Sequence, residues 1–468
     1  MKVEAMKRTT MMVMVLFLML LVFRIVLLSI CRLHTMYSFR SDSGTTLLRK
    51  LKHMSPLEPH SVLKQMSPME NRSAPRVRSS LASPITCDRS NHRYDICSIN
   101  GPTVLDTSQS TFFVVGPENS KPLVEKVRPY PRKWESFTMG RIKELTLTSG
   151  SPSPPCEVQH NVPALVFSAG GYTGNFFHDF NDGFIPLFIT VNSVLPDKDF
   201  VLVISKSRDW WVHKYANLLR SFSKHTIINL DNDNVTHCFP SATLGLMSHG
   251  FMTIDPKLIP NSRTIQHFHA LLEKTYGQGH PSFSIPPKAR PRLLLASRSG
   301  GVGRVILNQA EVEKVAREEG FDVTVFEPKS STPLREAYVL IHSSHVMIGV
   351  HGAALTHSLF LRPGSVFVQV VPIGSEWVAE ACFGKPARDM GLEYMEYKIG
   401  VEESSLVEKY GKDEVLLKDP QALLKKGWSN EIMDIYLKKQ NVKFDLVRFR
   451  GYLKIAYEKA EVFMNKEC

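Results

Sequence analysis

Residues 345–356 read HVMIGVHGAALT. An apolar, partly β-branched run ends at glycine and histidine, and small residues then lead into a second apolar stretch. The first part predicts a buried strand over 345–350 and the second predicts the start of a helix. The same grammar extends on both sides. RLLLAS (292–297) predicts a strand, and Asn308 with Glu311 three residues later predicts a capping-box-like helix start. That helix runs to Glu319, Gly320 ends it, and FDVTVF (321–326) is the next strand. Thr332 opens a helix through Ser343, and SVFVQVV (365–371) gives one more strand after the Arg362-Pro363-Gly364 turn. Strands alternating with helices predict a parallel sheet covered on both faces.

Upstream, PALVFS (163–168), DFVLVIS (199–205) and HTIINL (225–230) predict three more strands. A helix from Phe177 to Val191 and a segment containing Trp210, Trp211 and Tyr215 lie between them. The Pro-rich stretch IPPKARPR (285–292) predicts a linker. The fold class expected is α/β, with two doubly wound Rossmann-like domains over 86–285 and 286–468 whose crevices face one another. No internal repeat is visible, which excludes a solenoid.

The N-terminus differs from the body. Met11 to Cys31 is apolar apart from Arg24, long enough to cross a bilayer, and no small-residue cleavage site follows it. This predicts a transmembrane signal anchor over 11–31 with a cytosolic tail over 1–10. The proline-, serine- and arginine-rich residues 32–85 predict a disordered stem. Of the formal net charge of +12, residues 1–93 carry all but +2. A nearly neutral body argues against a nucleic-acid partner. Asn71 and Asn234 head glycosylation acceptor triplets, which suit a lumenal body. Of seven cysteines, Cys31 falls in the span, leaving six, compatible with three bridges; Cys87 with Cys97 is the foremost candidate pair. Free buried thiols are the competing reading. No paired spacing points to zinc.

Three stretches could carry chemistry. Gly349, His351, Gly352, Ala353, Ala354, Leu355 and Thr356 combine small residues with a helix start, where backbone N–H groups can meet an anion such as a diphosphate. Tight strand–helix packing uses the same residues equally well. Arg298 follows a strand at the edge where ligands bind in parallel sheets, and its forked guanidinium suits phosphate, a role that competes with a surface salt bridge. Arg304 closes the glycine loop after it. In the first half, His178 and Asp182 stand at i and i+4 after a Gly-rich turn, where either one could be the general base with the other orienting it, or the two could form a cap network. Asp231-Asn232-Asp233 has the D-x-D form of a cation site, but it also has the form of a common acidic turn, and metal is assigned to none of these residues. No G-x-S-x-G hydrolase elbow occurs.

Five blocks in order, GGYTGNFFHDFNDGFIPLF (170–188), VLVISKSRDWWVHKY (201–215), THCFPSATLGL (236–246), IGVHGAALTHSLFLRPGSVFVQVVP (348–372) and YLKKQNVKFDLVRF (436–449), resemble plant glycosyltransferase family sixty-one. CDRSNHRYDIC (87–97) and RPYPRK (128–133) also fit. The resemblance implies two facing domains of GT-B type and a single-pass type II Golgi membrane protein with a lumenal body. It implies an inverting transferase that moves xylose or arabinofuranose from a UDP-sugar to a xylan backbone in cell-wall synthesis. Transfer of xylose to N-glycan cores and non-catalytic glycan binding are the alternatives. His351 to His357 would form the donor diphosphate region and His178 to Asp182 the acceptor side. The expected partners are the UDP-sugar, a xylan or other glycan acceptor, the Golgi membrane and other xylan-synthesising enzymes, with no cofactor and no metal required. SGGVGR (299–304) departs from the arginine-rich segment common in the family.

Overall fold

The computed structural model describes residues 83–115, 123–150, 152–278, 290–425, 427 and 429–467. The cytosolic tail, anchor, stem up to residue 82, Asn71 and most of the Pro-rich linker lie outside the described residues. Among the described residues, no helix is long and apolar enough to cross a membrane.

The second half is built on a five-stranded sheet with every pair parallel. Across the sheet the strands run Asp322–Phe326, Arg292–Ala296, Val346–Val350, Val366–Val371 and Glu393–Lys398. Every residue of Val346–Val350 and Val366–Val371 is buried, as expected for inner strands covered on both faces. The edge strands Asp322–Phe326 and Glu393–Lys398 keep polar residues toward water. In chain order the sheet reads 2-1-3-4-5, so its winding reverses between Arg292–Ala296 and Val346–Val350. A ligand crevice is expected beyond the carboxyl ends of those two strands.

The helix Gln309–Glu318 follows Asn308 as expected, but without the predicted cap. The Asn308 amide instead exchanges hydrogen bonds with the backbone of Phe444, at 3.0 and 2.9 Å. It ties the helix start to the segment before the C-terminal helix Leu446–Glu467, which covers strand Val366–Val371 through residues such as Leu453, Ala456, Ala460 and Phe463.

The first half departs from the doubly wound expectation. Ala164–Ser168, Val201–Ser205 and Ile228–Asn229 are parallel neighbours as predicted, and Ala242–Leu244 joins them in parallel. Ile96–Ile99 and Ile85–Asp88 then extend this sheet antiparallel. A second mixed six-stranded sheet runs Leu123–Val127, Leu145–Ser149, Thr111–Val114, Thr103–Asp106, Thr236–Phe239 and Val158–Gln159. The alternating residues of the parallel strands explain the layering. Leu165, Phe167, Leu202 and Ile204 pack into a core with helices, whereas Ala164, Val166, Val201 and Val203 pack with Leu105, Phe112, Leu147 and Phe239 of the second sheet. Helices therefore cover one face and a sheet covers the other. Short strands joined by tight turns cannot supply the crossover helices that a doubly wound layer needs.

The helix-lined core also contains Leu294, Met347 and Phe367 of the second half. Helix Ile265–Tyr276 links the halves, packing on Asp209–Phe222 and Leu334–His342. Cys87 and Cys97 face each other across their strand pair and are disulfide-bonded; a second bridge joins Cys156 to Cys238. Cys382 is a buried free thiol, so the three-bridge reading of the cysteines does not hold among the described residues. Asn234 is exposed.

Candidate active site

The reversal point of the parallel sheet carries two arginines. Arg298 lies two residues beyond strand Arg292–Ala296, and its Nη2 donates to the Val350 carbonyl at 3.1 Å. Arg304 reaches the same place from the glycine loop, with Nη1 donating to the His351 carbonyl at 3.1 Å. The chain between these carbonyls and Ala353 must pass against both guanidinium groups. Gly352 allows this: a Cβ there would stand 2.8 Å from Nη1 of each arginine, and its φ of +145° is one that side-chain-bearing residues rarely adopt. Burial lowers Arg298, and burial together with the Arg298 charge pushes Arg304 down to about 9. Both remain cationic at neutral pH. Neither arginine has a carboxylate partner among the described residues, and Arg304 Nε is buried with no hydrogen-bond partner. Two forked cations without a counter-ion form a receptor for an anion such as a diphosphate.

The residues expected in this region divide by role. Gly349 is a packing glycine, because a Cβ would meet Leu355 at 2.7 Å and Ala296 at 2.9 Å. Leu355 and Thr356 are buried as well. Ala353 and Ala354 are half-buried and begin a 3-10 helix, Ala353–Phe360, in place of the predicted α-helix. Its first N–H groups have no intrahelical acceptor. His351 is buried, and its Nδ1 lies 2.9 Å from the Gln369 amide nitrogen, which places the ring proton on Nε2. Tyr394 OH donates to Gln369 Oε1 at 2.6 Å and holds that amide. Burial, with the Arg304 and Arg298 charges, lowers His351 to about 3. It is a neutral donor here.

The second cluster sits on the helical run at 176–194. Asn175 caps its start by accepting from Phe177 N at 3.1 Å, and Asp179–Phe184 forms a π-helical turn before Ile185–Val194 continues. Such turns recur at functional sites. The turn brings Asp182 inward, where it is 2% exposed. Its Oδ2 lies 2.8 Å from His178 Nδ1, and it accepts from Arg132 Nε at 2.8 Å and Tyr130 OH at 2.9 Å. Asn181 Nδ2 donates to Oδ1 at 2.6 Å. Burial works against the carboxylate, but the His178 hydrogen bond and the Arg132 charge outweigh it and hold Asp182 below its usual range. An ionised carboxylate with four partners is a poor proton acceptor and a good orienter. His178, half-buried, points Nδ1 at it and leaves Nε2 for a substrate proton. Of the two candidates for the base, the geometry favours His178.

Asp179, one residue after His178, faces the other way. It accepts from Tyr215 OH at 2.8 Å and Trp211 Nε1 at 3.2 Å, and burial raises it. It fixes the π turn to helix Asp209–Phe222. Sequence spacing could not have found Tyr130 or Arg132, which lie 52 and 50 residues before Asp182. RPYPRK was the only trace of them. Asp231 and Asp233 lie apart from the site. Asp231 pairs with Lys143 and accepts from Lys206 N, and Asp233 accepts from Val235 N and meets His237. No cluster of three or more His, Cys, Asp or Glu suited to a metal ion occurs among the described residues.

The two clusters abut. Phe176 stacks on His357 at 4.1 Å, and Phe177 meets Phe383 at 5.6 Å, which in turn meets His351 at 5.4 Å. The π turn bearing the dyad thus packs against both the 3-10 helix Ala353–Phe360 and a second π turn, Glu380–Gly384.

A family model described as Glycosyltransferase 61 matches residues 174–368, which include His178, Asp182, both arginines and the 351–356 block. A xylan glycosyltransferase of Arabidopsis thaliana is 42% identical over 398 residues, covering 80% of each chain. The chain belongs to glycosyltransferase family 61. Two rice proteins are also similar. An alpha-1,3-arabinosyltransferase is 37% identical over 372 residues, and the match spans 78% of this chain and 64% of that one. A beta-1,2-xylosyltransferase is 34% identical over 392 residues, spanning 79% and 83%. Within this family 61 chain, the family-model match starts after Tyr130 and Arg132, so two of the four groups that anchor Asp182 are contributed from outside the matched segment.

Proposed function

We propose that this glycosyltransferase moves a pentose, xylose or arabinofuranose, from a UDP-sugar to a xylan backbone in plant cell-wall synthesis, with inversion at the anomeric carbon. The names of the relatives above support the acceptor and the pentose class. The single observation that carries the donor is the arginine pair without a counter-ion at the reversal point of the parallel sheet. The two halves act as the lobes of a GT-B enzyme, with the nucleotide over the second half.

In one displacement, the acceptor hydroxyl gives its proton to His178 Nε2 as its oxygen bonds to the anomeric carbon. The bond from that carbon to the diphosphate oxygen breaks on the opposite face, and UDP leaves. Asp182 steadies the imidazolium that forms, and Arg298, Arg304 and the N–H groups of Ala353 and Ala354 receive the charge of the leaving diphosphate. No metal is required in this scheme. The enzyme is a single-pass type II Golgi membrane protein with its body in the lumen, glycosylated at Asn71 and Asn234, and it works beside other xylan-synthesising enzymes.

The test incubates the full chain in detergent with UDP-xylose, UDP-arabinofuranose and other UDP-sugars against xylan oligosaccharides. Transfer of one pentose, with anomeric inversion by NMR, is expected. Hydrolysis without transfer, or transfer only to N-glycans, overturns the reading.

A further inference from the structure

Beside His178 runs a row of alternating rings and guanidinium groups of which the mechanism above uses only Arg132, as the partner of Asp182. The Arg93 guanidinium lies 5.6 Å from the Phe251 ring and 5.2 Å from Trp134. Arg132 lies 5.5 Å from Trp134 and 5.1 Å from Tyr172. Arg141 follows, 5.7 Å from Tyr172 and 4.8 Å from Phe137. The row touches the dyad directly, because Tyr172 stacks on the His178 ring at 4.4 Å. Its outer members are open to solvent: Trp134 is 41% exposed, Phe137 77%, and Arg141 is exposed.

The three arginines are not equivalent. Arg132 is neutralised by Asp182 and Glu135. Arg93 and Arg141 have no ion pair and no side-chain hydrogen bond among the described residues. The neighbouring carboxylates are already engaged: Asp95 by Arg89 and Lys133, and Glu135 by Arg132 and the Thr138 hydroxyl. Aromatic faces hold guanidinium planes in place and leave their forked N–H edges free, which is the arrangement for bidentate capture of a carboxylate.

We propose that Arg141, the exposed arginine beside the Tyr172 ring that stacks on His178, reads a uronic-acid carboxylate on the acceptor chain, so that this enzyme selects a polysaccharide carrying acidic side groups near the hydroxyl presented to His178. The proposal rests on the polysaccharide reading given under Proposed function and adds a specificity to it. The diphosphate of the donor is the other available anion, but its receptor is the Arg298–Arg304 pair, and this row adjoins the base.

Binding separates the two claims, because it needs neither donor nor turnover. The full chain in detergent is titrated calorimetrically with a neutral xylo-oligosaccharide and with the same oligosaccharide bearing one glucuronic acid. The acidic ligand should bind the wild type about tenfold or more tightly, the ratio that one charge-assisted hydrogen bond supplies. That ratio should collapse toward one in Arg141→Gln and invert in Arg141→Glu, an exposed position that the fold tolerates. Equal binding of the two ligands, no binding of either, a ratio that survives the substitutions, or displacement of the acidic ligand by UDP alone each overturns the proposal. Failure of transfer to any xylan acceptor, with the binding ratio intact, sinks only the polysaccharide-transfer reading.

Discussion

His178 Nδ1 stands 2.8 Å from Asp182 Oδ2, and the same oxygen is 2.8 Å from Arg132 Nε. A carboxylate shared between an imidazole and a buried guanidinium holds the ring's orientation and cannot easily take a proton itself. Asp182→Asn should keep the shape and lower turnover by about 10²–10⁴-fold, as should His178→Ala, and the double variant should lose little more than either single one. Single-turnover assays across the cycle decide this. Multiplicative losses would mean that the two side chains act separately.

Asp182→Ala is a different experiment. It strands the buried Arg132 without its main partner, and breaking a buried ion pair in this way costs about 3–5 kcal/mol. The unfolding midpoint should fall accordingly, whereas Asp182→Asn should unfold closer to the wild type. Chemical denaturation compares the two. Equal stability of the alanine variant and the wild type would remove Asp182 from the anchoring role.

Gly352→Ala tests the anion receptor from the backbone side. The new Cβ would press on both arginines at 2.8 Å and hold an unfavourable φ, a strain of order 1–3 kcal/mol. Affinity for UDP should fall, and so should the thermal shift that UDP confers on the protein. Arg298→Ala should lower turnover by an amount equivalent to about 2.7–4 kcal/mol of barrier while the fold survives. Unchanged UDP binding in both variants would place the nucleotide elsewhere.

Three buried histidines set an acid limit on stability. Burial lowers His345 and His351 to about 3 and His357 to about 4. As pH falls through the ordinary histidine value of 6.5, the unfolded chain takes up protons that the folded chain refuses. Stability should therefore be full above that value and decline from about pH 6.5 downward, by up to about 2 kcal/mol per histidine at pH 5. Melting temperature measured from pH 8 to pH 5 should drop only in the lower part of that range. A rise on acidification would contradict the neutral assignment.

Chelation probes the charge-stabilising groups. With Arg298 and Arg304 at the diphosphate, activity should persist in excess EDTA. A sharp loss, restored by a divalent cation, would transfer the role to acidic residues such as Asp231 and Asp233, which the structure otherwise shows engaged with Lys143 and His237.

The sequence by itself determined the parallel sheet of the second half, because strands buried on both faces must be apolar throughout, as VMIGV and VFVQVV are. It also determined that small residues follow Val350 and that His178 and Asp182 share a helical face, since both are matters of spacing within a few residues. Only the tertiary structure decided that Gly349 packs while Gly352 yields to two guanidinium groups, and that Tyr130 and Arg132 turn Asp182 from a candidate base into an orienter. It alone decided that strands between Thr103 and Gln159, together with Thr236–Phe239, cover one face of the first sheet where helices were expected. Periodicity records which way a side chain faces. It does not record which distant side chain it will meet, because that depends on how far-apart stretches of the chain close on one another.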